Sequence, residues 1–136
     1  MTGRSGDPPS RSLFQDGIGH FNAERYYEAH ESWEDLWRTL GGTDRLFVQA
    51  LIQASVALHH LKRGNLAGAR QLARATFAKL SLLPARMWGL DCEALAQDLA
   101  ARLGPLLLTT LPKADALPPG LPPIALRVDS APDSAT

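Results

Sequence analysis

At 100° per residue, Tyr26, Ala29, Trp33, Leu36, Trp37 and Leu40 fall on one arc of a helix. Glu28, Glu31, Ser32, Asp35, Arg38 and Thr39 fall on the other. The pattern predicts an amphipathic helix over about 26–40, closed by Gly41 and Gly42. The next segment differs. Leu46, Phe47, Ala50, Leu51, Ala54, Ala57, Leu58 and Leu61 make one broad apolar face, while Val48, Ile52 and Val56 occupy the opposite side. A helix apolar nearly all round is a central helix. It is expected from a Thr43 cap to Arg63, with Lys62 and Arg63 suiting its negative end and Gly64 the residue past it.

Asn65 is the expected cap of a fourth helix, running from Leu66 to about Leu82 and stopped by Pro84. The turn before it is so short that the two helices must form an antiparallel hairpin. A fifth helix, 91–103, has Asp91 as its cap and Leu95, Leu99 and Leu103 on one stripe. Near the start, Leu13, Phe14 and Ile18 suggest a short first helix capped by Ser10 or Ser12. Gly17 and Gly19 weaken it, and Asn22 reads as a cap or turn residue. After Gly104 prolines exclude another long helix, and Leu106 to Leu108 and Leu121 to Val128 are expected extended across the bundle. No alternation is strong enough to propose a sheet.

The fold expected is all-α: a single-domain antiparallel bundle of about five helices with a Pro-rich extended C-terminal segment. The expected divisions are a flexible tail at 1–10, the bundle at 11–104, the extended segment at 105–128 packed on it, and a disordered tail at 129–136. A chain of 136 residues with 45% hydrophobic and 21% charged residues can bury such a core without staples. Its 14 Lys and Arg balance 14 Asp and Glu, which argues against nucleic acid as the main partner, though it leaves room for a local basic patch. Cys92 is the single cysteine. There is no apolar run near the roughly 20 residues of a membrane helix and no signal-peptide core, so no membrane partner and a cytoplasmic location are expected.

Two constellations carry candidate chemistry. In His30-Glu31-Ser32-Trp33-Glu34, His30 and Glu34 project from one side of a helix at i, i+4, a spacing that suits a shared proton or a divalent metal ion. Glu34 stands where a metalloprotease motif has its second His, so that motif is excluded. The plainer reading is a His–Glu hydrogen bond at the edge of the core. The second constellation is Gln49, Gln53 and His60, a polar stripe along the central helix, with His59 set apart from it. Burying amides and imidazoles costs several kcal/mol unless they are bonded. A network closed with water satisfies that need as well as a ligand does. If the two stripes face each other, His30, Glu34, Gln53 and one of His59 or His60 converge in one pocket for a metal ion or small polar ligand. His30, Glu34 and His60 are the metal candidates. Trp33 and Trp37 read as core and Cys92 as a bystander; Arg70 and Arg74 form a basic edge that could hold an anion, the plainer reading being a solvated helix face.

The run Phe21-Asn22, Tyr27-Glu28-Ala29-His30-Glu31, Glu34 and Trp37-Arg38 resembles the opening signature of the family called domain of unknown function 309. Gln49-Ala50-Leu51-Ile52-Gln53-Ala54, His59-His60, Arg63-Gly64-Asn65 and Gly68-Ala69 resemble its second signature. The resemblance covers about 13–80. It implies an all-helical fold, places His30, Glu31, Glu34, Gln53, His59 and His60 in the family pattern, and supplies no reaction. Gly64 to Ala69 also resembles the turn of a tetratricopeptide-type hairpin; with fewer than three repeats this is convergent hairpin packing.

Three functions follow. The first is a binding or accessory module for an unidentified protein or small polar ligand, favoured by neutral charge and the absence of a complete catalytic motif; a homodimer is compatible with it. The second is a metal-dependent or acid–base enzyme, hydrolase-like, in which Glu34 is base or ligand and His30 ligand or proton carrier. The third is a structural polar network that fixes helix register.

Overall fold

The computed structural model describes residues 8–108 and 121–129. The sequence tails and the segment 109–120 lie outside the described residues, and with them most of the expected terminal tails. Five helices dominate: α1 (Pro8–Asn22), α2 (Tyr26–Trp37), α3 (Gly42–Lys62), α4 (Leu66–Leu80) and α5 (Cys92–Leu103). The central helix is α3, packed against α2 on one side and α4 on the other, while α1 covers α2 and α5 covers α4. Trp33, Leu36, Phe47, Leu51, Leu99, Leu103 and Leu106 are fully buried in the shared core. The all-α bundle is therefore the observed architecture.

The first helix is longer than its two glycines suggest. It starts at Pro8, where missing N–H groups do no harm in a first turn, and buries Ser10, Phe14, Gly17 and Phe21 along one stripe. Gly17 is a seat rather than a weakness: a Cβ there would fall on the Trp33 indole. Trp33 Nε1 donates across that contact to the Phe14 carbonyl at 3.2 Å. The cost of glycine in a helix is exchanged for close approach of α1 and α2.

The caps show where side chains decide a boundary. Asn65 Oδ1 accepts from Gly68 N–H at 3.0 Å, and Asp91 Oδ1 accepts from Ala94 N–H at 2.9 Å, as expected of both. Thr43 does not cap α3. That helix begins two residues earlier, at Gly42, after an extended Gly41 with no side-chain cap. Helix α2 closes at Trp37, ahead of Leu40, and the Thr39 hydroxyl donates to the Leu36 carbonyl at 2.7 Å.

A small hairpin departs from the all-helical expectation. β1 (Arg86–Met87) and β2 (Leu90–Asp91) pair antiparallel, Arg86 opposite Asp91 and Met87 opposite Leu90. Positive φ at both Trp88 (54°) and Gly89 (81°) is the signature of a tight hairpin turn. Two residues per strand leave no alternation to read. Leu90 also bridges Val128, so the C-terminal stretch lies extended there, with Ile124 and Leu126 buried. The Asn22 side chain holds it by donating to the Leu126 carbonyl at 3.0 Å and accepting from the Leu126 N–H at 2.7 Å. Leu106 and Leu107 are not extended: they belong to a 3-10 turn, Gly104–Leu107, that buries Leu106. No helix among the described residues is long and apolar enough to cross a membrane.

Candidate functional site

His30 on α2 and His59 on α3 meet at the α2–α3 edge through Tyr27, which was not among the candidate site residues. The Tyr27 ring lies 5.6 Å from that of His30 on its own helix and 6.0 Å from that of His59 on α3. The His59 and His60 rings are themselves 6.0 Å apart. A continuous run of four rings thus crosses from α2 to the end of α3. The available signal was position: Tyr27 sits three residues before His30, on the same side of an amphipathic helix, beyond the apolar arc.

At the α2 end, His30 Nε2 lies 2.9 Å from Glu34 Oε2. A carboxylate only accepts, so Nε2 carries the proton, and in the neutral ring Nδ1 is an acceptor. That Nδ1 is shut off from water and has no hydrogen-bond partner. Glu34 is shared, its other oxygen lying 3.7 Å from Arg38 Nη2, while Arg38 Nη1 reaches Asp35 at 2.9 Å. Glu31 is exposed on the outer surface of α2 and takes no part in these contacts. Further along, the Arg45 guanidinium stacks 3.8 Å above the Trp37 ring, so Trp37 is a half-buried platform at the rim of the core.

His60 belongs to the other side of α3. Asn65 Oδ1 is occupied by Gly68 N–H, so its Nδ2 faces His60 Nδ1, at 3.2 Å, and donates to it. His60 Nδ1 is therefore the acceptor, and the neutral ring carries its proton on Nε2. Gly68 fits closely over this pair, since a Cβ there would press on both Asn65 and His60. Gln53 stands seven residues before His60, nearly two turns, and so shares the stripe that turns toward α4. Its Oε1 is buried without a partner. Gln53 Oε1 and neutral His30 Nδ1 are both acceptors and cannot satisfy each other.

The single pocket expected from His30, Glu34, Gln53 and a histidine pair is thus divided. Tyr27, His30, Glu34 and His59 gather on the α2 side, and His60 with Asn65 on the α4 side, joined through the His59–His60 contact. The metal candidates His30, Glu34 and His60 do not assemble as a ligand set. Among the described residues no group of three or more His, Cys, Asp or Glu side chains is arranged to hold a metal ion. Clefts open elsewhere: one between the hairpin, α5 and the C-terminal stretch, near Asp91, Asp98 and Arg127, and one along α4 at Arg70 and Arg74.

Burial lowers the pKa of His59 from the ordinary 6.5, and Arg63, His60 and His30 push the same way; Glu28 opposes them. The ring is thus held neutral in an aromatic row, where it can accept or donate one hydrogen bond at neutral pH. What the site offers chemically is a partly exposed aromatic and imidazole surface, edged by carboxylates along α2 and by Arg63 at the end of α3.

These features define a class: a small helical bundle whose central helical hairpin carries a histidine-rich edge. The family model for domain of unknown function (DUF309) matches residues 14–72, the span of α1 to mid-α4 that contains every member of that edge. A crystal structure of a conserved hypothetical protein from Thermus thermophilus is 36% identical, with a TM-score of 0.59, over 66% of this chain and 94% of that one. No curated protein matches the chain. The chain belongs to the DUF309 family.

Proposed function

We propose that this protein is a binding module, an accessory protein that docks a basic segment of a partner protein along the α2–α3 edge. The observation that carries the reading is Tyr27: 53% exposed, yet fixed between the rings of His30 and His59. A large aromatic side chain already ordered at the surface loses little freedom on binding, which is why such residues anchor interfaces. Its surroundings set the partner's sign. Helix α2 carries Glu28, Glu31, Glu34 and Asp35 and no Lys or Arg within its span. An aromatic face edged by carboxylates favours Lys and Arg side chains, through cation–π attraction as well as charge.

The reading as an acid–base enzyme is supported by the His30–Glu34 pair alone, and the purely structural reading by that pair and the His60–Asn65 contact, while the partnerless inner atoms of His30 and Gln53 leave such a network incomplete. Neither accounts for an ordered, exposed Tyr27. The proposal includes a cytoplasmic setting, consistent with a chain that carries one cysteine. The test is an amide-resonance titration at physiological salt with a Lys/Arg-rich peptide, beside an Asp/Glu-rich peptide of equal length. Shifts converging on Tyr27, His30, Glu31 and His59, and lost in Tyr27→Ala, are expected. Equal shifts with both peptides, or shifts indifferent to Tyr27→Ala, would overturn the proposal.

A further inference from the structure

The zero net charge hides a segregation. No acidic residue occurs between Asp44 and Asp91, a stretch that carries Arg45, Lys62, Arg63, Arg70, Arg74, Lys79 and Arg86. Within it, α4 holds Arg70 and Arg74 one turn apart on the same side of the helix. Neither makes an ion pair among the described residues, whereas Arg38 and Arg86 both do. Arg70 Nε is, in addition, shut off from water without a hydrogen-bond partner. The half-buried Arg70 guanidinium thus lacks a protein partner for its charge, and its outer nitrogens are free to take an acceptor from the groove. The two arginines line a shallow groove of about 350 Å³ whose remaining walls are Ala67 and Gln71. Gln71 adds an amide able to donate.

We propose that this groove on α4 binds a phosphate group, free or as the monoester of a small molecule. Two guanidinium charges balance the near-dianionic charge of a phosphate at neutral pH, where a carboxylate would balance one. Each planar fork also matches two phosphate oxygens, which Lys cannot do. The site is on α4 and shares no residue with the Tyr27 edge, so it stands or falls independently of the docking proposed above.

The experiment titrates the full chain with inorganic phosphate and, separately, with phenyl phosphate, following amide resonances at constant ionic strength; acetate is the control. Saturable shifts at Ala67, Arg70, Gln71 and Arg74 are expected with phosphate and absent with acetate. Arg70→Gln and Arg74→Gln should each weaken binding about tenfold or more, the factor for losing one charge-assisted hydrogen bond. Lys62→Gln, which removes a cation outside the groove, should leave it unchanged. Binding of phenyl phosphate at least as tight as that of phosphate assigns the monoester; its exclusion assigns the free ion. Acetate shifts equal to those of phosphate, or weakening by Lys62→Gln as large as by Arg74→Gln, would refute the site. Because Arg74 is exposed, its replacement tests the groove without disturbing the core.

Discussion

His30 Nε2 and Glu34 Oε2 meet at 2.9 Å across one turn of α2, and the pair is only partly shielded, with side-chain exposures of 23% and 39%. That exposure sets the scale of its contribution. When His30 is removed, Glu34 regains water and keeps Arg38 nearby, so no buried charge is stranded. His30→Ala should therefore lower stability by about 1 kcal/mol, the pair's share plus some lost packing of the half-buried ring. Urea unfolding of the parent and variant measures it. A loss above about 3 kcal/mol would mean that His30 holds the interior together, which the geometry does not support.

His59 makes stability depend on pH in a defined direction. Its folded-state pKa lies below the ordinary 6.5, chiefly through burial and then through Arg63 and His60. The groups facing it are Arg63, His60 and His30, which oppose its protonation, and Glu28, which favours it. With the folded pKa depressed, the unfolded chain binds the proton first. The ring's contribution to stability is thus present above about pH 6.5 and is lost as pH falls through the folded pKa. Proton NMR should place the His59 midpoint below 6.5, and His59→Gln should flatten the fall in urea midpoint between pH 7 and pH 5. A His59 midpoint at or above 6.5 contradicts the stated environment.

How far the sequence revealed these features depended on whether the deciding interaction was local. The caps of α4 and α5 were legible because Asn65 and Asp91 reach N–H groups three residues on. The central position of α3 was legible because its apolar residues surround it. Gly17 misled, since nothing within α1 shows that Trp33 will occupy the space beside it. Asn22 does stand at the end of α1, beside the turn, but its clamp on Leu126, 104 residues distant, could not be read. At the candidate site the residues named fall on two sides of α3 rather than in one pocket, and that grouping was not readable. Helical spacing aligns Gln53 with His60, and only the packing of Tyr27 on His59 and Gly68 over His60 shows which neighbour each stripe faces.

Gly17→Ala is expected to be among the most damaging single-methyl additions in the chain. The new Cβ would overlap the Trp33 indole, which is fully buried and hydrogen-bonded to Phe14, so relief requires α1 and α2 to separate. Overpacking of this kind costs about 1–3 kcal/mol, and loss of the indole hydrogen bond places this site at the upper end. Gly19→Ala is the matched control: nothing lies near its Cβ, and alanine is the better helix former, so it should be neutral or slightly stabilising. Thermal melts of the two variants should therefore move apart, and a Gly17→Ala protein as stable as Gly19→Ala would contradict the packing described.

Asn22 acts as a clamp between the end of α1 and the C-terminal stretch. One amide satisfies both backbone groups of Leu126, at 3.0 and 2.7 Å, as a neighbouring strand would. Asn22→Ala leaves that N–H and C=O to water or to nothing, and the cost is about 1 kcal/mol because the site is part-buried. Asn22→Asp keeps the acceptor for the Leu126 N–H but sets a carboxylate oxygen against the Leu126 carbonyl, so it should destabilise as well. The effect should be local. Hydrogen exchange at the Leu126 amide should quicken in both variants, more in Asn22→Ala, while amides in the middle of α3 keep their protection. Unchanged exchange at Leu126 would mean that Ile124 and the Leu90–Val128 bridge hold the stretch without the clamp.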